Sequence, residues 1–101
     1  MKTFIILFLS LISLTASPYV YSQSTFQVVP LGIRGGTDES NLSAYMVAPF
    51  GSNEYICLDA GTVHAGIKKA IALKTFRDPP AVVLRKYIKG FFISHGHLDH
   101  L

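Results

Sequence analysis

The chain opens on a block of apolar residues and then breaks into short segments whose hydrophobic period changes from one to the next. After Lys2, positions Phe4 to Leu14 are apolar except for Ser10 and Ser13. Small and polar residues follow, ending in Val20-Tyr21-Ser22. A basic start, an apolar stretch and short side chains at a cleavage position make up a secretory signal peptide. The apolar stretch is too short for a membrane-spanning helix, which needs roughly 20 residues. Residues 1–22 are therefore expected to be removed between Ser22 and Gln23, sending the protein to the periplasm or outside the cell. Gln23, not Cys, sits directly past that position, so neither a lipoprotein anchor nor any other stable membrane anchor is expected.

Beyond the leader the pattern favours strands first. Phe26 to Pro30 alternates loosely and ends in proline, which reads as a short strand. Leu31 to Asn41 holds Gly32, Gly35 and Gly36 among polar residues and is expected to be a loop. Ser43–Pro49 and Glu54–Asp59 flank a turn at Phe50-Gly51-Ser52-Asn53, the layout of a hairpin. The period then changes. Val63, Ile67, Ala70, Ile71 and Lys74 recur at three-to-four spacing, predicting an amphipathic helix over Val63–Lys74 with Thr62 as its N-cap. Asp78-Pro79-Pro80 reads as a stop and a new start. A second short helix is expected over Ala81–Lys89, ended by Gly90, with Val82, Val83 and Ile88 available for burial. Phe91-Phe92-Ile93-Ser94 is expected to be a buried strand leading directly into His95. No internal repeat or linker interrupts this order, and the mixture places the chain in the α+β class.

Composition narrows the functional classes. Residues 23–101 hold eight Lys/Arg (nine less Lys2) and six Asp/Glu, a net charge of +2. Most of the basic residues fall in the two helical segments, as solvated faces do. No basic stripe is interleaved with stacking aromatics, so a nucleic-acid polymer is not an expected partner. The single cysteine, Cys57, lies between Ile56 and Leu58 and reads as a small core residue. One cysteine forms neither an internal disulfide nor a zinc ribbon.

The candidate chemistry is concentrated at the end: His95-Gly96-His97-Leu98-Asp99-His100. Three of the four histidines of the chain fall in these six residues, directly after an apolar strand. His95 and His97 are two apart, so in extended backbone their side chains leave on the same side. Asp99 and His100, past a turn, are directed to a second position nearby. Imidazole suits zinc or iron, and a carboxylate completes a mixed site. Two such ions a few ångströms apart activate water and neutralise charge on a phosphoryl group. The fourth histidine, His64, reads as an ordinary surface or helix-end residue.

These residues carry a resemblance. His-x-His-x-Asp-His after a hydrophobic strand resembles the signature of the metallo-β-lactamase superfamily. With Leu98 in the variable slot and Leu101 after the last histidine, the stretch is similar to the start of the class II cyclic-nucleotide phosphodiesterase signature. Upstream, Leu31, Gly35-Gly36, Asn41-Leu42-Ser43 and Tyr45 resemble that family's glycine loop and the strand after it. Leu58-Asp59-Ala60-Gly61-Thr62 with Gly66-Ile67 resembles its strand-to-helix corner. The resemblance implies an α+β fold, the N-terminal part of a metallo-β-lactamase αββα sandwich, with residues 23–101 an incomplete portion of that domain, expected to be inactive by itself. It implies two divalent metal ions, zinc by type, with His95 and His97 on the first and Asp99 and His100 on the second. Asp99 also takes a catalytic role at the second metal. Asp59 matches an acidic position that supports the metal loop from behind instead of ligating. The implied reaction is hydrolysis of a 3′,5′-cyclic nucleotide, such as cyclic AMP, to the 5′-monophosphate, and the implied partner is that small molecule. Two alternatives stay open: another hydrolase of the superfamily (lactamase, lactonase or thioesterase), and a metal-binding segment without catalysis. Oligomeric state is not legible.

Overall fold

The computed structural model describes residues 25–101, so the expected signal peptide and its cleavage position lie outside the described residues. Strand β1 runs over Phe26–Gly32, β2 over Ala44–Pro49 and β3 over Tyr55–Leu58. Helix α1 covers His64–Ala72. A short helix α2, Pro80–Val82, continues into a π-helical turn over Val83–Tyr87, and β4 follows at once over Ile88–Phe92. Leu98–His100 forms a final 3-10 turn. The four strands make one mixed sheet in the order β1-β2-β3-β4. The first three are antiparallel, whereas β3 and β4 are parallel. Parallel neighbours need a crossover, which α1 and α2 supply.

The two helices cover one face of the sheet. Ala44, Met46 and Ala48 of β2 and Tyr55 and Cys57 of β3 point into this layer, where Ile67 and Ala70 of α1 meet them. Val83 and Ile88 close the far side. Phe76, in the connection between the helices, stands edge-on between Tyr55 and Tyr87, with ring centroids 5.8 and 5.6 Å away. Such T-shaped pairs align the positive ring edge with the negative face. The Tyr87 hydroxyl donates to Asp78, which ties the start of the helical turn to its end. Cys57 is fully buried, as its apolar flanks predict. Among the described residues no helix is long and apolar enough to cross a membrane.

Three expectations need correction. Thr62 does not cap α1: the N-cap position is Val63, without a side-chain bond. The Thr62 hydroxyl is instead taken by a loop 20 to 23 residues earlier, accepting the Leu42 N–H and donating to the Glu39 carbonyl. The second helix does not reach Lys89, because Ile88 pairs with Tyr55 and begins β4. Gly90 is accordingly a mid-strand residue paired with Ile56, not a helix stop. The strand around Phe91 is not buried either. β4 is an edge strand, and Phe91 and Phe92 are 50% and 65% exposed.

The uncovered face of the sheet is apolar. Val28, Val47 and Ile56 form one registered row across β1, β2 and β3, and Tyr45, Leu58 and Phe92 form the next across β2, β3 and β4. Ile56 is 52% exposed, whereas its neighbour Cys57 is fully buried on the other face. That alternation is the period of two that a pleated strand imposes.

Candidate metal centre

The site forms at the C-terminal ends of the two parallel strands. β3 delivers Asp59, β4 delivers Ser94 and His95, and the chain turns back through the 3-10 turn so that His100 returns to β3. Backbone bonds hold the return: the Asp59 N–H donates to the Phe92 carbonyl and the Ala60 N–H to the His100 carbonyl, both at 2.8 Å. Gly61 makes this closeness possible. A Cβ there would lie 2.4 Å from the Asp99 carbonyl oxygen and 2.5 Å from the Leu42 Cβ.

Asp59 organises the inner side of the site. Its backbone adopts a left-handed conformation, φ 59°, which Asp tolerates better than most residues because its short polar side chain bonds locally. Oδ1 accepts the Ser94 N–H at 2.7 Å. Oδ2 lies 2.7 Å from His100 Nδ1 and 3.0 Å from Ser94 Oγ. The Ser94 N–H, then the His100 contact, hold the Asp59 carboxyl far below the usual carboxylate range, against the opposing effect of burial. An ionised Asp59 can only accept hydrogen bonds, so His100 donates to it through Nδ1, which in the neutral imidazole leaves the Nε2 lone pair free. Ser94 Oγ also sits 2.9 Å from His95 Nδ1. With its own proton directed to Asp59, the hydroxyl accepts from His95 Nδ1–H, and Nε2 of His95 is left free as well. One carboxylate thereby sets the tautomer of two histidines, the arrangement that orients metal-ligating imidazoles.

Asp99 is held from the opposite side. Its Oδ2 accepts the Gly36 N–H at 3.1 Å and lies 3.4 Å from His100 Nε2. The Gly36 bond, with the adjacent His100 and His97, lowers the Asp99 carboxyl below its usual range. One ligand atom each from His95, Asp99 and His100 falls within a group no wider than 4.8 Å. Two imidazoles with free Nε2 and one carboxylate at that separation fit a divalent transition ion such as zinc.

Of the residues expected from sequence, His95, Asp99 and His100 are thus brought together, with Asp59 behind His100. His97 lies beside His95, ring centroids 4.7 Å apart and edge-on, but outside the three-residue group. The His95 ring is closer to His100, at 4.2 Å. His64 starts α1 and takes no part in the group. Ser94 was missed by the sequence reading, although a hydroxyl residue directly before the first histidine was its available signal.

No family model matches the chain, and no solved structure matches it. Curated relatives do. Over 93 residues, 77% of this chain, it is 36% identical to cAMP/cGMP-dependent 3′,5′-cAMP/cGMP phosphodiesterase 7 of Dictyostelium discoideum, covering 22% of that protein. The chain is homologous to cyclic-nucleotide phosphodiesterases. A Yersinia pestis protein named "Probable 3′,5′-cyclic-nucleotide phosphodiesterase" is 36% identical over all of this chain and 31% of its own length. The 3′,5′-cyclic-nucleotide phosphodiesterase of Aliivibrio fischeri is 33% identical over 76% of this chain and 26% of its own length. The chain spans between about a fifth and a third of the length of these phosphodiesterase relatives.

Proposed function

We propose that this chain forms the first part of the active site of a metal-dependent 3′,5′-cyclic-nucleotide phosphodiesterase of the metallo-β-lactamase fold. The observation that carries the reading is the His95–Asp99–His100 donor group at the ends of β3 and β4, in a chain homologous to enzymes of that name. His95, His97, Asp99 and His100 are assigned as ligands of two divalent cations, zinc by donor type, with His95 and His97 on one and Asp99 and His100 on the other. When bound, the ions supply Lewis acidity and a nucleophilic water near neutral pH. The chain's own residues do the positioning. Asp59 retains the Nδ1 proton of His100, Ser94 does the same for His95, and the carboxylate of Asp99 offsets cationic charge beside the phosphoryl group. Phosphoryl transfer asks mainly for such placement and charge compensation, so a site without a side-chain nucleophile is adequate.

The apolar rows on the open sheet face support the sandwich assignment, since a second sheet packed about 10 Å away covers a surface of this kind. Export, with residues 1–22 as a cleaved signal peptide and a periplasmic or secreted product, belongs to the same proposal. Intact mass of the exported protein tests it, with Gln23 as the expected first residue. Activity is tested by incubating the full-length enzyme, of which this chain is the first part, with cyclic AMP, a β-lactam and a lactone, with and without a chelator. Chelator-sensitive formation of 5′-AMP alone is the expected outcome. Turnover of the lactam or lactone instead would transfer the site to another hydrolase of the fold.

A further inference from the structure

The loop between β1 and β2 is hydrogen-bonded to Asp99 through the Gly36 N–H, and it is built more rigidly than its composition suggests. Its base is closed by the Arg34 N–H to the Asn41 carbonyl at 2.8 Å and the Ser43 N–H to the Arg34 carbonyl at 2.9 Å. Within it, Asp38 Oδ1 accepts from both the backbone and the hydroxyl of Ser40. The loop is fastened to the β3–α1 corner by Thr62, only 3% exposed. The Thr62 hydroxyl accepts the Leu42 N–H at 2.8 Å and donates to the Glu39 carbonyl at 2.5 Å. Lys69 Nζ adds a bond to the Ser40 carbonyl at 3.0 Å. At the tip, Gly36 has φ +104°, a conformation that side-chain-bearing residues rarely adopt, and it directs its N–H at Asp99 Oδ2.

Two bonds on Thr62 are more than helix entry requires, and α1 does not use them. Their effect is to fix the height of the loop over the metal site. The corner that places Asp59 behind His100 thereby also sets, through Thr62 and the loop, where the Gly36 N–H meets Asp99. We infer that Thr62 is a positioning residue for Asp99. By holding the glycine loop in register, it lets the Gly36 N–H occupy one carboxylate lone pair and leaves the remaining ones directed to the metal.

This inference rests on the metal-centre reading above and deepens it, since it gives the ligand pair Asp99 and His100 a common support. A carboxylate ligand with one oxygen hydrogen-bonded to backbone is restricted in rotation, and losing such a partner typically costs 10–100-fold in metal affinity. The support acts on the ion held by Asp99 and His100 and not on the one held by His95 and His97.

The test is cobalt(II) titration of the metal-free full-length protein, followed by visible absorption, for the wild type and for Thr62→Val, Thr62→Ser and Gly36→Ala. Thr62→Val keeps the shape and removes the hydroxyl, whereas Thr62→Ser keeps the hydroxyl. Gly36→Ala strains only the loop tip, because an added Cβ there meets no heavy atom within 4 Å. The expected result is that Thr62→Val and Gly36→Ala weaken one of the two cobalt equivalents by about 10–100-fold and alter its absorption band. The other equivalent stays as in the wild type, and Thr62→Ser binds as the wild type does. Equal behaviour of the Val and Ser variants, or both equivalents weakening together with the melting temperature, overturns the positioning role. An unaffected Gly36→Ala variant overturns the route through Gly36. A wild-type protein that binds no cobalt overturns the metal-centre reading itself, a result none of the variant comparisons can produce.

Discussion

Asp59 and His100, forty-one residues apart in the chain, meet at 2.7 Å between Oδ2 and Nδ1. The contact joins the end of β3 to the end of the metal loop and fixes which imidazole nitrogen is left for a metal. An asparagine at 59 keeps the shape but cannot accept at both side-chain termini, so either the Ser94 N–H or the Ser94 hydroxyl and His100 lose an acceptor. Asp59→Asn is therefore expected to lower metal affinity by about 10–100-fold without abolishing binding. Equilibrium dialysis against zinc measures this, and wild-type affinity in the variant would remove Asp59 from the site.

The same carboxylate makes an acid signature. Its folded pKa is depressed, chiefly by the Ser94 N–H and then by His100. A depressed carboxylate contributes stability that is present above its unfolded pKa of about 3.9 and lost as pH falls toward the folded value. Metal-free wild type is expected to lose stability to denaturant between about pH 4 and about pH 2 more steeply than Asp59→Asn. Parallel curves for the two proteins would show that the contact adds nothing to folding.

Gly61 is where the corner and the metal loop touch. A methyl group there would meet the Asp99 carbonyl oxygen at 2.4 Å, and this oxygen belongs to backbone already tied down by the Ala60 N–H to His100 bond. Neither side gives way cheaply. Gly61→Ala is expected to cost about 1–3 kcal/mol, as overpacking does, and to weaken metal binding at the same time. Chemical denaturation with and without zinc reads both effects. A variant as stable as the wild type would mean that the loop does not lie against the corner.

How much of this was legible in the sequence follows from how local each cause is. The β2–β3 hairpin was readable because alternation and a Gly51 turn, with φ +81°, lie within a few residues of one another. The grouping of His95, Asp99 and His100 was readable because these residues are close in sequence. Ile88 was assigned with Val82 and Val83 to the helix expected over Ala81–Lys89, and only pairing with Tyr55 across the crossover decides for a strand. Thr62 has the chemistry of an N-cap, but partners at Glu39 and Leu42 took its hydroxyl. The meeting of Gly36 with Asp99 spans sixty-three residues, and no periodicity encodes it.

Cys57 offers a check on the core. It has no solvent exposure, and burial pushes its thiol up to about 11. At about pH 8 on the order of one thiol in a thousand is then ionised, and the thiolate is the reactive form. Iodoacetamide is expected to leave the native protein unlabelled and to modify one site per chain after unfolding in denaturant, as mass spectrometry would record. Rapid native labelling would place Cys57 outside the layer between sheet and helices.

Asp99 decides between a paired site and a single one. Its carboxylate lies 3.4 Å from His100 Nε2, and both belong to the three-residue donor group with His95. The proposed assignment gives His95 and His97 to one ion and Asp99 and His100 to the other. Asp99→Asn removes the anionic ligand but retains shape and one acceptor oxygen, so the Gly36 N–H can still be satisfied and the loop should stay in place. In the full-length protein the ion on His95 and His97 is then expected to remain, and metal content should fall from about two per chain toward about one. Cyclic AMP hydrolysis should fall further than in Asp59→Asn, because one change removes a ligand and the other only its support. Zinc content and turnover measured together on both variants make the comparison. Two ions and near-normal turnover in Asp99→Asn would show that Asp99 is no ligand, and the two-metal reading would lose its main support in this chain.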